Sequence, residues 1–120
     1  MERPPLLRKK LRWNVNVSNA GCGCNAALYL TSLAQNGDSS ACDDYYCDAN
    51  NVCGQSCAEI DIMEANKHAL HTTAHTSHDG SGMGIGLGGG KHAFTKAEYG
   101  PRGSKVDTSK PFTVAAYFGG

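Results

Sequence analysis

The 120-residue sequence lacks an excess of charge of either sign, and it lacks any long apolar run. Eleven basic residues balance eleven acidic ones, so the net charge does not point to nucleic acid or to an anionic membrane as a partner. No segment approaches the roughly 20 apolar residues that a membrane-spanning helix needs. We therefore expect neither nucleic acid nor a membrane as a partner.

A secretory signal is also missing from the sequence. The basic start MERPPLLRKKLRW has no apolar stretch long enough for the central region of a signal peptide. Two interpretations compete: a cytosolic protein with reduced cysteines, or a chain whose natural start is missing. We expect residues 1–12 to be an unstructured or spurious lead-in.

Helical periodicity is scarce, and no internal repeat is evident. Two segments instead alternate with the period of two that a half-buried strand requires, namely WNVNVSN (13–19) and AEIDIMEA (58–65). AALYLTSLA (26–34) is compatible with a short helix, but its residue types favour a strand, as do those of KPFTVAAYF (110–118). The sequence therefore predicts an all-β fold with long loops.

Six cysteines crowd into the first half of the chain, at positions 22, 24, 42, 47, 53 and 57. An even number indicates a disulfide-stapled domain if the compartment is oxidising, and the polar segment 35–56 is then a long loop pinned by cross-links. In a reducing compartment the last four cysteines are spaced to form a zinc knuckle. The chain would then be a small metal-binding module without catalysis.

Histidines, glycines and one asparagine give three weaker signals. Histidines at 68, 71, 75 and 78 would share one face of a helix and could ligate zinc, but their threonine-rich segment is a poor helix former. The glycine-rich segment 75–92 does not carry a lysine and a Ser/Thr in the fixed places of a phosphate-binding loop, so we expect a flexible loop there. Asn16-Val17-Ser18 is a glycosylation sequon, which matters only in a secreted protein.

Three carboxylates stand out in CAEIDIMEANKHA (57–69): Glu59, Asp61 and Glu64. On a strand, Glu59 and Asp61 share a face, whereas Glu64 joins them only if a bulge changes the parity. With a bulge the two glutamates could approach the roughly 5 to 5.5 Å separation of retaining glycosidases. Such closeness would also separate their pKa values into one acid and one nucleophile.

A solvated acidic surface is the alternative interpretation of these carboxylates. Ile60 and Ile62 make the opposite face of the predicted strand apolar, which favours the floor of a cleft over random surface.

The segment CAEIDIMEAN (57–66) resembles the active-site strand of glycoside hydrolase family 7, the cellobiohydrolases and endoglucanases of fungi and other eukaryotic microbes. Further segments are similar to the family in the same order, and together they cover most of residues 13–118. They are VNVSNAGCGCNAALYL (15–30), YYCDANNVC (45–53), HTTAH (71–75) and VDTSKPFTV (106–114).

The resemblance implies a β-jelly-roll sandwich whose concave sheet binds cellulose. Residues 13–120 would be part of its catalytic domain, fragmentary and with long disulfide-pinned loops. By motif position, Glu59 matches the nucleophile, Asp61 the aspartate that assists it, and Glu64 the general acid/base. The remaining matches are His75, Asn25, Tyr29 and Tyr46, which would contact glucose units, and Asp48, which would support Asp61.

The implied protein is a secreted cellulase that cleaves β-1,4-glucan chains by double displacement. It would be a monomer that needs no cofactor and no metal. Whether it acts within chains or from their ends is left open. An inactive fragment that only binds glucan is the alternative within the family.

The chain departs from the family in several respects. It is several times too short for the whole domain. Trp13 is its only tryptophan, Met63 stands where the fungal enzymes often have Trp, and Ser77 stands where the family commonly has Cys. Cys22 resembles a cysteine whose partner lies in a later part of the family domain. We therefore expect a partial sequence.

Overall fold

A computed structural model describes residues 4–33, 37–76 and 94–119. The regular elements of these ranges are seven β-strands and a short 3-10 turn at Val52–Gly54. The strands are β1 (Lys10–Val15), β2 (Ala26–Thr31), β3 (Glu59–Ala65), β4 (Leu70–His75), β5 (Tyr99–Gly100), β6 (Val106–Asp107) and β7 (Phe112–Tyr117). The predicted all-β fold is confirmed. No helix of the described ranges has the length and apolarity to cross a bilayer.

The strands form three small sheets within two compact units. The first unit comprises Met1–Ala26, Ala65–Leu70 and Phe94–Gly120, and the second comprises Ala27–Glu64 and His71–Ala93. β1 pairs with β7 antiparallel and β5 pairs with β6 in parallel, and both pairs belong to the first unit. The third sheet has the order β2-β3-β4 and lies in the second unit except for three strand-end residues.

β1 begins earlier than the alternation in WNVNVSN predicts. Its register runs from Lys10 opposite Tyr117 to Val15 opposite Phe112, so residues 10–12, expected to be unstructured, are paired. The physical reason is that the alternation extends back to Leu11, which shares the less exposed face with Trp13 and Val15.

β1 also ends earlier than predicted, because a local turn replaces the ladder. The backbone N–H of Ser18 donates to Oδ1 of Asn16 at 3.1 Å, a side-chain interaction that competes with strand pairing. Val17 between them is nonetheless almost fully buried.

The first unit holds the turn between β3 and β4 in place. Tyr99 is buried, and its hydroxyl donates to the carbonyl of Asn66 at 2.9 Å. The hydroxyl of the fully buried Thr108 donates to the carbonyl of Lys67 at 2.8 Å, and the N–H of Lys67 donates to the carbonyl of Ala20 at 2.9 Å. The turn is therefore fixed by three hydrogen bonds, of which the two from side chains are partly buried.

β3 and β4 form a hairpin, since they are neighbours joined by only four residues and parallel neighbours need a longer crossover. Oδ1 of Asn66 accepts the N–H groups of His68 at 2.8 Å and Ala69 at 3.0 Å. Histidines 68, 71 and 75 therefore lie on a turn and a strand rather than on a helix. The glycine-rich loop predicted for 75–92 lies outside the described residues from position 77 onward.

Disulfides pin the loop that precedes β3. Cys42 pairs with Cys53 and Cys47 with Cys57, with Cα–Cα distances of 5.3 and 5.6 Å. The four cysteines of the supposed zinc knuckle are thus cross-linked, which favours the oxidising interpretation. Among residues 4–33, 37–76 and 94–119, no three His, Cys, Asp or Glu side chains are grouped to hold a metal ion. Cys22 and Cys24 are exposed thiols.

Candidate active site

The acidic face of β3 is buried. Glu59 and Asp61 are only 5% and 6% exposed, whereas Ile60 between them is 40% exposed. Ordinary strands bury the apolar face and expose the charged one. The reversed order in the first half of β3 places two carboxylates inside the second unit, where they need partners.

Glu59 receives a hydrogen bond from the backbone. Its Oε2 accepts the N–H of Ala49 at 3.1 Å, and the carbonyl of Asp48 accepts the N–H of Cys57 at 3.1 Å. The loop therefore lies along the start of β3. Burial raises the pKa of Glu59 and the charges of Asp61 and Asp48 raise it further, while the Ala49 N–H and His75 oppose the rise.

Asp61 is bonded to His75 on the neighbouring strand. Asp61 Oδ2 lies 2.9 Å from Nε2 of His75, and both side chains are almost fully buried. Burial raises the pKa of Asp61, the hydrogen bond from His75 lowers it, and the charge of Glu64 raises it. Oδ1 of Asp61 is buried without a hydrogen-bond partner among the described residues. An acceptor in that state costs free energy unless a donor reaches it.

Glu64 belongs to the same group of charges, as its effect on the pKa of Asp61 shows. Its Oε1 accepts a hydrogen bond of 2.8 Å from the hydroxyl of Tyr29 on β2. Strict alternation would place Glu64 on the face opposite Asp61. The alternation of burial is interrupted at 61–63, which are all buried. Residues 59, 61, 63 and 65 are all buried and Glu64 is half-buried, so only Ile62 departs from the alternation, and the bulge stays a prediction.

Tyr46 and Asp48 flank Glu59 from the pinned loop. The Tyr46 hydroxyl donates to Oδ2 of Asp48 at 3.1 Å, and Oδ1 of the buried Asp48 accepts the N–H of Val52 at 3.1 Å. Burial, the adjacent Asp48, and the charges of Glu59 and Asp61 raise the pKa of Tyr46 to about 12. Tyr46 therefore stays a neutral hydrogen-bond donor. The charge of Asp48 raises the pKa of Glu59, and the expected support of Asp61 by Asp48 stays a prediction.

The sequence did not identify two groups of the site, the backbone N–H of Ala49 and the side chain of His71. The Ala49 contribution comes from its backbone, so its side chain gives no signal. His71 was considered only as a zinc ligand on a helix. On a strand it shares a face with Thr73 and His75; its Nδ1 lies 3.0 Å from Oγ1 of Thr73, and its charge lowers the pKa of Asp61.

The structure thus brings most of the predicted site residues together in the second unit. They are Glu59, Asp61, Glu64, His75, Tyr29, Tyr46 and Asp48. Asn25 is exposed and belongs to the first unit, at the residue before β2.

Known proteins resemble the chain over nearly its whole length, although no protein-family model matches it. It is 34% identical over 134 residues to endoglucanase EG-1 of Hypocrea jecorina, a match that covers 92% of the chain and 28% of the relative. It is 30% identical over 145 residues to a probable endo-beta-1,4-glucanase celB of Aspergillus clavatus, covering 94% of the chain and 35% of the relative.

A solved structure shares the fold. The crystal structure of a GH7 family cellobiohydrolase from Daphnia pulex superposes with a TM-score of 0.63 at 24% identity, and the match covers 95% of the chain and 39% of the cellobiohydrolase. The chain therefore spans about a third of the length of the proteins that it matches. The chain is similar to part of these proteins and shares the fold of the GH7 family cellobiohydrolase, a β-jelly-roll sandwich.

Proposed function

We propose that the full-length protein containing this chain is a retaining glycoside hydrolase that cleaves the β-1,4-glucosidic bonds of cellulose. The observation that carries the proposal is the group of three interacting carboxylates on β3, Glu59, Asp61 and Glu64. The names of the relatives, endoglucanase and endo-beta-1,4-glucanase, support the substrate class.

Glu59 is the proposed nucleophile. It attacks the anomeric carbon and forms a glycosyl ester, while Glu64 gives a proton to the departing oxygen. Glu64 then removes a proton from the water that hydrolyses the ester, so two inversions retain the configuration. Burial disfavours the ionised form of Glu59, and esterification removes that charge, which favours the covalent intermediate.

Asp61 and His75 have supporting roles in this mechanism. The 2.9 Å contact with Nε2 of His75 fixes Oδ2 of Asp61, and Asp61 in turn acts on Glu59 by charge. Asp48 acts on Glu59 in the same way and accepts the Tyr46 hydrogen bond.

The remaining polar side chains of the prediction are proposed to bind the glucan. Hydroxyl, imidazole and amide groups form hydrogen bonds with sugar hydroxyls. The residues are His75, Asn25, Tyr29 and Tyr46. Two cross-links in the described loop support an extracellular location, because disulfides persist in oxidising compartments.

The test compares two glutamine substitutions in the full-length protein on an aryl cellobioside. Glu59→Gln removes the nucleophile, and we expect kcat to fall by at least about a thousandfold. Glu64→Gln should reduce kcat by roughly a hundred- to ten-thousandfold with a poor leaving group, and by much less with a good one.

Glu98→Gln is the matched control, since Glu98 lies in the first unit and pairs with Lys105. The same change there should leave turnover intact. Proton NMR of the initial product should show the β-anomer. Near-normal rates for Glu59→Gln, or an initial α-anomer, would contradict the proposal.

A further inference from the structure

A sequon in the first unit has no part in the proposed catalysis. Asn16-Val17-Ser18 is the only Asn-x-Ser/Thr triplet in the 120 residues, and its middle residue is not proline. Oligosaccharides are attached to the asparagine of such triplets in secreted proteins.

The local structure suits a modified asparagine. β1 ends at Val15, so Asn16 lies just beyond the ladder, and its side chain is exposed. Val17 is 1% exposed and anchors the segment. The Ser18 N–H donates to Oδ1 of Asn16, whereas a glycan is attached to Nδ2. A bulky group on Nδ2 therefore requires neither the loss of this hydrogen bond nor the removal of the buried Val17.

The cross-links of the second unit supply an independent observation about the compartment. Cys42–Cys53 and Cys47–Cys57 are formed, and such bonds form in the secretory pathway, where sequons are also modified. The relatives come from eukaryotes, among them Aspergillus, Hypocrea and Daphnia. This step depends on the extracellular location proposed above.

We propose that Asn16 carries an N-linked oligosaccharide. The donor is a lipid-linked oligosaccharide diphosphate. Nδ2 of Asn16 attacks the first anomeric carbon of the donor and forms a C–N bond, while the C–O bond to the diphosphate breaks. Nδ2 loses one proton to a base of the transferring enzyme, and the lipid diphosphate leaves with the bonding electron pair. No oxidant or reductant takes part.

Four forms of the full-length protein test the site when they are expressed with a secretory leader in yeast. They are the wild type, Asn16→Gln, Ser18→Ala and Ser18→Thr. Ser18→Ala keeps Asn16 and the backbone N–H that bonds to it but destroys the sequon, and Ser18→Thr preserves the sequon. We expect an endoglycosidase-sensitive modification at position 16 in the wild type and in Ser18→Thr, and its complete loss in the other two.

Peptide mass spectrometry provides the readout, because removal of the whole glycan by a peptide amidase hydrolyses the side-chain amide and converts Asn16 to Asp. Cell-associated and secreted protein are both analysed, so that a retained chain is also scored. Wild-type protein that enters the pathway with position 16 unmodified contradicts the inference, as does a glycan at position 16 in Ser18→Ala. Cellulose hydrolysis is assayed on the same samples. Activity without the glycan contradicts only the inference, and a glycan without hydrolysis contradicts only the proposed function.

Discussion

The charges of the candidate site act together on Asp61. Asp61 is surrounded by Glu59 and Glu64 on its own strand, by Tyr46 on the loop, and by two histidines on β4. His75 is bonded to it directly, whereas His71 acts only by charge, which lowers the pKa of Asp61. An exposed residue that acts through charge can be replaced without disturbing the packing.

We predict that His71→Ala raises the pKa of Asp61 and shifts the acidic limb of the kcat/KM profile to higher pH. His71→Lys retains the positive charge and should keep the limb in place. His68→Ala is the matched control, because His68 is exposed on the turn and contributes a backbone N–H that alanine also has. An acidic limb that moves equally for His71→Ala and His68→Ala would show that His71 has no special influence.

Glu59, the proposed nucleophile, makes stability depend on pH through its raised pKa. Between its ordinary pKa and the raised value, the folded state binds more protons than the unfolded state. The free energy of unfolding therefore falls as pH rises through this interval. Glu59→Gln removes this pH-dependent loss of unfolding free energy, because glutamine does not ionise. The variant should therefore unfold at a higher temperature than the wild type at pH 7 and at the same temperature near pH 3.

Glu98 gives a control of opposite sign in thermal unfolding experiments. The hydrogen bond to Lys105 is the largest of the influences that lower the pKa of Glu98 to about 2. Glu98→Gln should therefore destabilise the protein at pH 7, with an effect that shrinks as pH falls toward 2. A Glu59→Gln variant that is less stable than the wild type at pH 7 would argue against a charged, buried Glu59.

The contrast between acidic and apolar residues made Glu59, Asp61 and Glu64 visible in the sequence, because carboxylates rarely occur in apolar strands without a reason. Their catalytic roles stay predictions. The Ala49 N–H was not visible, since every residue except proline has such a group. The influence of His71 was hidden because its segment was tested for helical rather than strand geometry.

At the scale of elements, the two disulfides offer a comparison that separates stability from activity. Their sequence separations, 11 for Cys42–Cys53 and 10 for Cys47–Cys57, are nearly equal. Loop-closure entropy therefore assigns each about 3 kcal/mol of stabilisation. Only the Cys47–Cys57 bond adjoins the site on both sides, with Tyr46 and Asp48 beside one cysteine and Glu59 two residues after the other.

We predict that replacing Cys47 and Cys57 by alanine lowers kcat/KM at least tenfold, because the Ala49 N–H and Asp48 lose their fixed positions beside Glu59. The double substitution at Cys42 and Cys53, whose side chains are less buried, should cost less stability and leave kcat/KM within about threefold. Denaturant unfolding and steady-state kinetics on both variants measure the two effects. Equal losses of activity would mean that the Cys47–Cys57 bond has no positional role.

The β3–β4 turn depends on one asparagine side chain. Oδ1 of Asn66 satisfies the N–H groups of both His68 and Ala69. Asn66→Ala removes this acceptor, and we expect a loss of about 1 to 2 kcal/mol in the free energy of unfolding. Asn66→Asp retains an acceptor in the same place and should lose less. Equal destabilisation of the two variants in urea would instead assign the effect to the Nδ2 group, which donates to the carbonyl of Cys24 at 3.2 Å and which both variants lack.

Strand positions were largely predictable because alternation and β-forming residues mark β1, β2, β3 and β7. Their ends were less so. β1 begins at Lys10 because charged residues fit its exposed face, and it ends where Asn16 offers a competing hydrogen bond. The two-residue strands β5 and β6 are too short to show any periodicity. These two strands are recognised only by their parallel pairing in the structure, in which Tyr99 lies opposite Val106.

At the scale of the whole molecule, the chain spans about a third of the length of its relatives. Among the residues that the structure describes, the buried apolar ones are few, and several are small: Val15, Val17, Cys47, Ala49, Cys57, Ile62, Met63, Ala65 and Tyr99. Larger apolar side chains remain exposed, including Ile60 at 40% on β3 and Val52 at 52% on the pinned loop. A core of this size stabilises a domain only marginally.

We therefore predict that the 120 residues expressed alone fold poorly and do not turn over substrate. The full-length protein should fold cooperatively and turn over substrate. The apolar surface around Ile60 should bind a hydrophobic dye in the isolated chain and not in the full-length protein, where further strands would cover it. Thermal unfolding should lack a cooperative transition in the isolated chain. A cooperative transition together with steady release of cellobiose by the isolated chain would show that these residues suffice for both folding and catalysis.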